Sequence, residues 1–111
     1  MKLSERQQVF TANIAALILK AVDLEIMLTF GHAWRSIEEQ RRLKAEGKSQ
    51  TLNSLHLSRL AVDFNFFIDG KLTYDKKKLQ GLGDYWESLH PDNSWGGNWK
   101  FLDTPHFQMS K

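Results

Sequence analysis

Two histidines and two aspartates of this chain stand where they could serve one metal ion. His56 lies in Ser54-Leu55-His56 and is followed by Asp63 in Ala61-Val62-Asp63; His106 lies in Asp103-Thr104-Pro105-His106-Phe107-Gln108. Two imidazoles and one carboxylate make three protein ligands, and a second carboxylate could deprotonate a water in the open position. That is the donor set of a catalytic zinc site. The chain has no cysteine, so a thiolate metal site and a disulfide framework are both excluded.

The neighbours of these residues limit how they can meet. Asp63 interrupts an apolar run, and a carboxylate buried there must be paired or metal-bound because its desolvation is otherwise too costly. A salt bridge with Arg59 or Arg35 is the plainer alternative. In a strand, His56 and Asp63 would point to opposite faces. They can share an ion only if His56 sits in a turn before the strand, with Leu57-Ser58-Arg59 redirecting the chain. Pro105 fixes its own backbone and extends Thr104, so Asp103 comes round beside His106 only through a bend at Thr104-Pro105. In the strand that follows, His106 and Gln108 share one side, Phe107 and Met109 the other. Spacing alone does not say which carboxylate binds and which moves a proton. His32, beside Arg35, reads as a surface or supporting residue, and His90 as a complement to a helix end; neither is assigned to the metal.

Elements to carry these residues are legible along the chain. Ser4 and Gln7 form a capping box for an amphipathic helix over residues 4–22, with Phe10, Ile14, Leu17, Ile18 and Ala21 at helical spacing. Alternation of Ile26, Leu28 and Phe30 predicts a strand over 24–30, closed by Gly31. Ser36 and Glu39 open a charged helix to Ala45, which stops at Gly47. Residues 47–55 read as a polar loop. Residues 60–68 form a strand with Val62, Phe64, Phe66 and Ile68 on one face, and Asp69-Gly70 turns it into a hairpin. Asp75 caps a helix with the stripe Leu79, Leu82, Trp86 and Leu89, ended by His90-Pro91. A short strand spans His106 to Met109. The expected fold class is α+β, a small antiparallel sheet with helices packed on it.

Composition bounds the rest. At 111 residues the chain is expected to be one domain, residues 1–111, with no separate cell-wall-binding module. Its hydrophobic share of 41% and charged share of 25% are ordinary for a globular protein. The net charge of +2 and pI near 9.0 give weak attraction to polyanions. There is no basic stripe, and Lys76-Lys77-Lys78 reads as a solvated helix start, so no nucleic-acid partner is expected. Lys20, Asp23 and Glu25 break the apolar stretch from Val9 to Phe30, which argues against membrane insertion. The polar start Ser4-Glu5-Arg6-Gln7-Gln8 does not read as a signal peptide, so synthesis in a host cytoplasm is expected.

The pattern Ser54-x-His56-x-x-x-x-Ala61-x-Asp63, then Trp95-Gly96-Gly97-Asn98-Trp99 and Asp103-x-x-His106-Phe107, resembles the zinc D-alanyl-D-alanine carboxypeptidase / L-alanyl-D-glutamate endopeptidase family. It is most similar to short endolysin-type members from bacteriophages. Upstream, Arg35-Ser36-x-x-x-Gln40 resembles the family's Arg-Ser/Thr-x-x-x-Gln segment. The resemblance runs over about residues 29–108 with the motifs in order.

That resemblance implies a hedgehog-like, D-Ala-D-Ala-peptidase-like fold, with His56, Asp63 and His106 as ligands of a single Zn2+. Asp103 would be the general base, and Arg35 would stabilise the oxyanion or hold a substrate carboxylate. Ser54 would hydrogen-bond the substrate and Trp99 wall the groove, with Trp95 and Gln40 as support. Two positions depart from the family. Arg59 stands where many relatives have Gly, and Asp103 where many carry Glu; the shorter acid fits the endopeptidase branch. The implied function is cleavage of peptidoglycan stem peptides at the L-alanyl-D-glutamate bond by a monomeric phage or prophage endolysin. A holin would serve as its partner for reaching the wall. The alternatives are a D-Ala-D-Ala carboxypeptidase and a non-catalytic zinc module, since hedgehog-type signalling domains share the fold and ligands.

Overall fold

The computed structural model describes residues 1–49 and 54–111. Helix α1 (Leu3–Asp23) buries Phe10, Leu17 and Ala21. It starts before the expected Ser4 cap because the Glu5 carboxylate accepts the Lys2 backbone N–H at 3.0 Å, a return bond that needs no hydroxyl at the first position. At its other end the Ile26 N–H reaches the Ala21 carbonyl at 2.8 Å and the Glu25 N–H reaches Val22 at 3.0 Å. Glu25 takes φ 62°, a left-handed helix closure. Leu24 and Ile26 therefore belong to that closure, and strand β1 is shorter than expected, Met27–Phe30.

Helix α2 (Ile37–Ala45) is capped as expected, the Ser36 hydroxyl accepting the Glu39 N–H at 3.1 Å. The Glu39 carboxylate pairs with Arg42 instead of completing a capping box. Gly47 closes the helix at φ 75°. The loop expected over 47–55 falls partly outside the described residues. After it come a short 3-10 turn, Leu55–Ser58, and strand β2, Ala61–Ile68. Asp69 and Gly70, at φ 52° and 75°, make the tight turn into β3 (Lys71–Thr73). Helix α3 (Lys76–Leu89) begins at Asp75, whose carboxylate accepts the Lys77 N–H at 3.0 Å. Strands β4 (Asn93–Trp95) and β5 (His106–Met109) complete the sheet. The sequence signalled β5 but not β4, which is only three residues long and carries no alternation.

The antiparallel sheet runs β1-β2-β5-β4, with β3 also paired to β2. Its two faces have different work. Phe64 and Phe66 of β2 and Phe107 of β5 point into a core closed by Phe10, Trp86 and Trp95, where the rings meet mostly edge to face. The buried indole N–H of Trp86 bridges the Ser94 and Gln108 carbonyls at 3.1 Å each, joining β4 to β5. Register pairs Asp63 with His106 and Ala61 with Gln108. Since paired residues share a face, Asp63, His106 and Gln108 project together from the side away from that core. Among the described residues, three α-helices and a five-stranded antiparallel sheet give the α+β fold expected. No helix among the described residues is long and apolar enough to cross a membrane.

Candidate metal and active site

One cleft gathers the residues that the sequence singled out. His32, Arg35, Ser54, His56, Asp63, Trp99, Asp103 and His106 all line it, and Gln108 joins them. Within it the donor atoms of His56, Asp63 and His106 lie within 4.8 Å of one another, the metal-competent group found among the described residues. Asp103 sits on the cleft wall outside that group.

His56 reaches Asp63 as the turn argument requires. The 3-10 turn is capped by the Ser54 hydroxyl, which accepts the His56 N–H at 3.2 Å. Arg59 then adopts φ 56° and ψ 34° and turns the chain into β2. So the position where many relatives carry Gly keeps the left-handed geometry with an arginine, at a cost of about 1–2 kcal/mol. The Arg59 guanidinium lies 5.0 Å above the Trp34 ring, a cation–π contact that offsets part of that cost.

The donor spacing fits zinc. His56 Nε2 is 3.4 Å and His106 Nδ1 3.1 Å from Asp63 Oδ1. Two ligands about 2.0–2.1 Å from a tetrahedral ion are about 3.3–3.4 Å apart. The outward nitrogens are also placed: His56 Nδ1–H donates to the Ala33 carbonyl at 3.0 Å, and His106 Nε2–H donates to Gln108 Oε1 at 2.8 Å. Ligand histidines are oriented by such acceptors. Burial alone would raise the Asp63 carboxyl, but hydrogen bonds from His106 and His56 outweigh it and hold Asp63 well below the usual carboxylate range. Burial likewise opposes the charged form of His106, and the hydrogen bond and charge of Asp63 prevail to raise it.

Arg35 is buried at one side of the cleft. Its Nη1 donates to Gln40 Oε1 at 2.7 Å, its Nη2 to His32 Nδ1 at 2.9 Å, and Nη2 stands 3.6 Å from Asp63 Oδ2. Its Nε–H is buried with no hydrogen-bond partner among the described residues. Burial pulls the guanidinium below its ordinary value, against the pull of Asp63, Glu39 and Asp103. The salt-bridge alternative for Asp63 is thus present too, through Arg35 and not Arg59. His32 supports Arg35. His90, by contrast, lies outside the cleft at the C-cap of α3, the helix end expected for it, and its Nδ1 accepts the Asp92 N–H at 3.0 Å.

Asp103 is held by its backbone. Its N–H donates to the Gly96 carbonyl at 2.9 Å, and its own carbonyl accepts the His106 N–H at 3.1 Å, closing the bend through Thr104-Pro105. A Cβ on Gly96 would lie 2.1 Å from the Asp103 carbonyl oxygen, so only glycine allows this approach. Buried Trp95 anchors the loop from below, its indole N–H donating to the Thr104 carbonyl at 2.7 Å. Partial burial raises the Asp103 carboxyl, with the neighbouring Asp63 adding to the effect and His106 opposing it. The Trp99 ring stands 5.1 Å from that of His106.

Gln108, Ala33 and Gly96 are the positions of this site that sequence reading did not assign. Gln108 carried a signal, sharing the His106 side of a strand; a backbone carbonyl such as that of Ala33 carries none.

Comparison with known proteins fits this geometry. Residues 47–109, more than half of the chain, match a family model described as D-alanyl-D-alanine carboxypeptidase. Among solved structures, the chain is similar to the Serratia marcescens L-Ala D-Glu endopeptidase ChiX. The two share 25% identity and a TM-score of 0.72, covering 99% of this chain and 87% of that one. No curated protein sequence matches.

Proposed function

The chain belongs to the D-alanyl-D-alanine carboxypeptidase family of hydrolases, and from that premise we propose that it is a zinc peptidase cutting the L-alanyl-D-glutamate bond of peptidoglycan stem peptides. The observation that carries the chemistry is the His56–Asp63–His106 group with a separate, partly buried Asp103 on the same cleft wall. The bond specificity rests on the overall likeness to the Serratia endopeptidase and on the short acid at position 103.

In this reading His56, Asp63 and His106 hold the ion, which when bound supplies a water of pKa near 7 and polarises the scissile carbonyl. Asp103 takes the water's proton and later returns it to the leaving amine, and its burial makes it a stronger base than an exposed aspartate. Arg35 presents a fixed fork of donors to the developing oxyanion or to a substrate carboxylate. The Ser54 oxygen accepts from His56, which leaves its O–H to donate to the substrate. Trp99 walls the groove. The proposal extends to a monomeric phage or prophage endolysin, made in the host cytoplasm and reaching the wall with a holin. Its support is the resemblance to short endolysin-type peptidases.

The test is digestion of purified peptidoglycan by the zinc-loaded protein, with and without a chelator, followed by mass spectrometry. Products separated between L-alanine and D-glutamate are expected. Release of free D-alanine alone would establish the carboxypeptidase alternative. Zinc binding without any hydrolysis would establish the non-catalytic module.

A further inference from the structure

We infer that Gln108 is the positioning residue for His106, selecting the imidazole tautomer that leaves Nδ1 open toward the metal position; this rests on the zinc reading above. The two histidines of the site are held by different kinds of acceptor. His56 donates from Nδ1 to the Ala33 carbonyl, a backbone oxygen that can do nothing but accept. His106 donates from Nε2 to a side-chain amide at 2.8 Å. An amide presents an oxygen on one side and an NH2 on the other. If the NH2 faced His106, Nε2 would have to accept, and the ring's one proton would sit on Nδ1, facing Asp63. A neutral histidine in that tautomer cannot bind a cation through Nδ1.

The fold makes the contact hard to avoid. His106 and Gln108 are two residues apart on β5, so their side chains rise from the same face. Gln108 is in register with Ala61 on one side and Ser94 on the other, and its carbonyl accepts from the buried Trp86 indole at 3.1 Å. Its backbone is therefore fixed on both edges, and its side chain lies along the imidazole. With Nε2–H held by the amide oxygen, His106 Nδ1 faces Asp63 Oδ1 at 3.1 Å, so the two atoms can act as donors to one ion.

Three proteins test this: wild type, Gln108→Met, which keeps length and loses the acceptor, and Gln108→Glu, which keeps an acceptor and loses the amide. Zinc affinity is measured by competition with a chromophoric chelator, and the His106 Nε2–H signal by NMR of the zinc-loaded proteins. Gln108→Met should weaken zinc about 10–100-fold, the range for lost outer hydrogen bonds to ligand histidines, and its Nε2–H should exchange fast. Gln108→Glu should bind within about threefold of wild type or tighter. Unchanged zinc affinity in Gln108→Met overturns the inference and leaves the metal site intact. Equal weakening in both variants also overturns it, because a packing role predicts that pattern. A wild type that binds no zinc refutes the metal reading and this inference with it.

Discussion

Gly96→Ala is the substitution that separates holding a metal from moving a proton. An added methyl carbon would stand 2.1 Å from the Asp103 carbonyl oxygen and 3.0 Å from its Cβ. Ordinary contact needs more than 3 Å, so Asp103 or the Gly96 turn must shift by about 1 Å. The contacts strained are the Asp103 N–H bond to the Gly96 carbonyl, 2.9 Å, and the His106 N–H bond to the Asp103 carbonyl, 3.1 Å. His106 resists the same displacement, because β5 is in register with both β2 and β4. The ligands stay and the base moves. A misplacement of that size costs about 10²-fold in rate, and overpacking costs about 1–3 kcal/mol of stability. The assay is hydrolysis of purified peptidoglycan alongside zinc affinity on the same preparations. Gly81→Ala on helix α3, where nothing lies within 4 Å of the added carbon, serves as the control. It should keep full activity and gain about 1 kcal/mol from helix propensity. Full activity in Gly96→Ala would refute the placement of Asp103 as the base. A loss of zinc as large as the loss of rate would show that the loop and the metal ligands are one unit.

Asp103→Asn keeps the shape of the side chain and removes its basicity, so kcat should fall about 10²–10⁴-fold with zinc affinity unchanged; retained lysis of cell walls would exclude Asp103 as base. In the metal-free protein, Asp63 is held below its unfolded value and stabilises above about pH 4, whereas His106 is held above its own and stabilises fully only below about pH 6.5. Thermal midpoints without metal should therefore peak between those limits, and zinc, which displaces the His106 proton, should move the optimum above pH 7; a metal-free midpoint that climbs steadily from pH 5 to 8 would contradict this. Glu25→Gly relieves a left-handed residue that makes no offsetting ring contact among the described residues, and should raise stability by about 1 kcal/mol. Arg59→Gly gives up the Trp34 contact along with the strain, so its midpoint should hardly change in the same thermal scan.

What the sequence made legible was what a short-range rule can carry. Asp63 is conspicuous because one acid breaks an apolar alternation, and Asp69-Gly70 because few other pairs suit two positive φ values. Helix α3 follows from Asp75 and a stripe that ends at Pro91. The errors arose where a local pattern had two physical solutions. Leu24, Ile26 and Leu28 alternate like a strand, yet Ile26 is the hydrophobic cap of α1, held by its N–H to Ala21. Ser4 looks like a cap, yet Glu5 reaches the Lys2 N–H first. Nothing within Asn93–Trp95 announces β4, because a three-residue strand is defined by its neighbour β5 and not by its own composition.

The site itself shows why family-level gaps can be filled by different residues. A glycine three places after the first histidine supplies left-handed geometry without strain. Arg59 supplies the same geometry with strain, offset in part by stacking on Trp34, and the turn still delivers His56 to Asp63. The function of the position is therefore a backbone angle, not a side chain. Asp103 is the reverse case. Its backbone is fixed by Gly96 and the bend to His106, so the length of the acid decides how far the carboxylate reaches across the cleft. A longer acid on the same backbone would extend toward the ligands by one methylene. In the proposed reading, position 103 thus sets the distance between base and metal, while position 59 shapes the turn that brings His56 to Asp63.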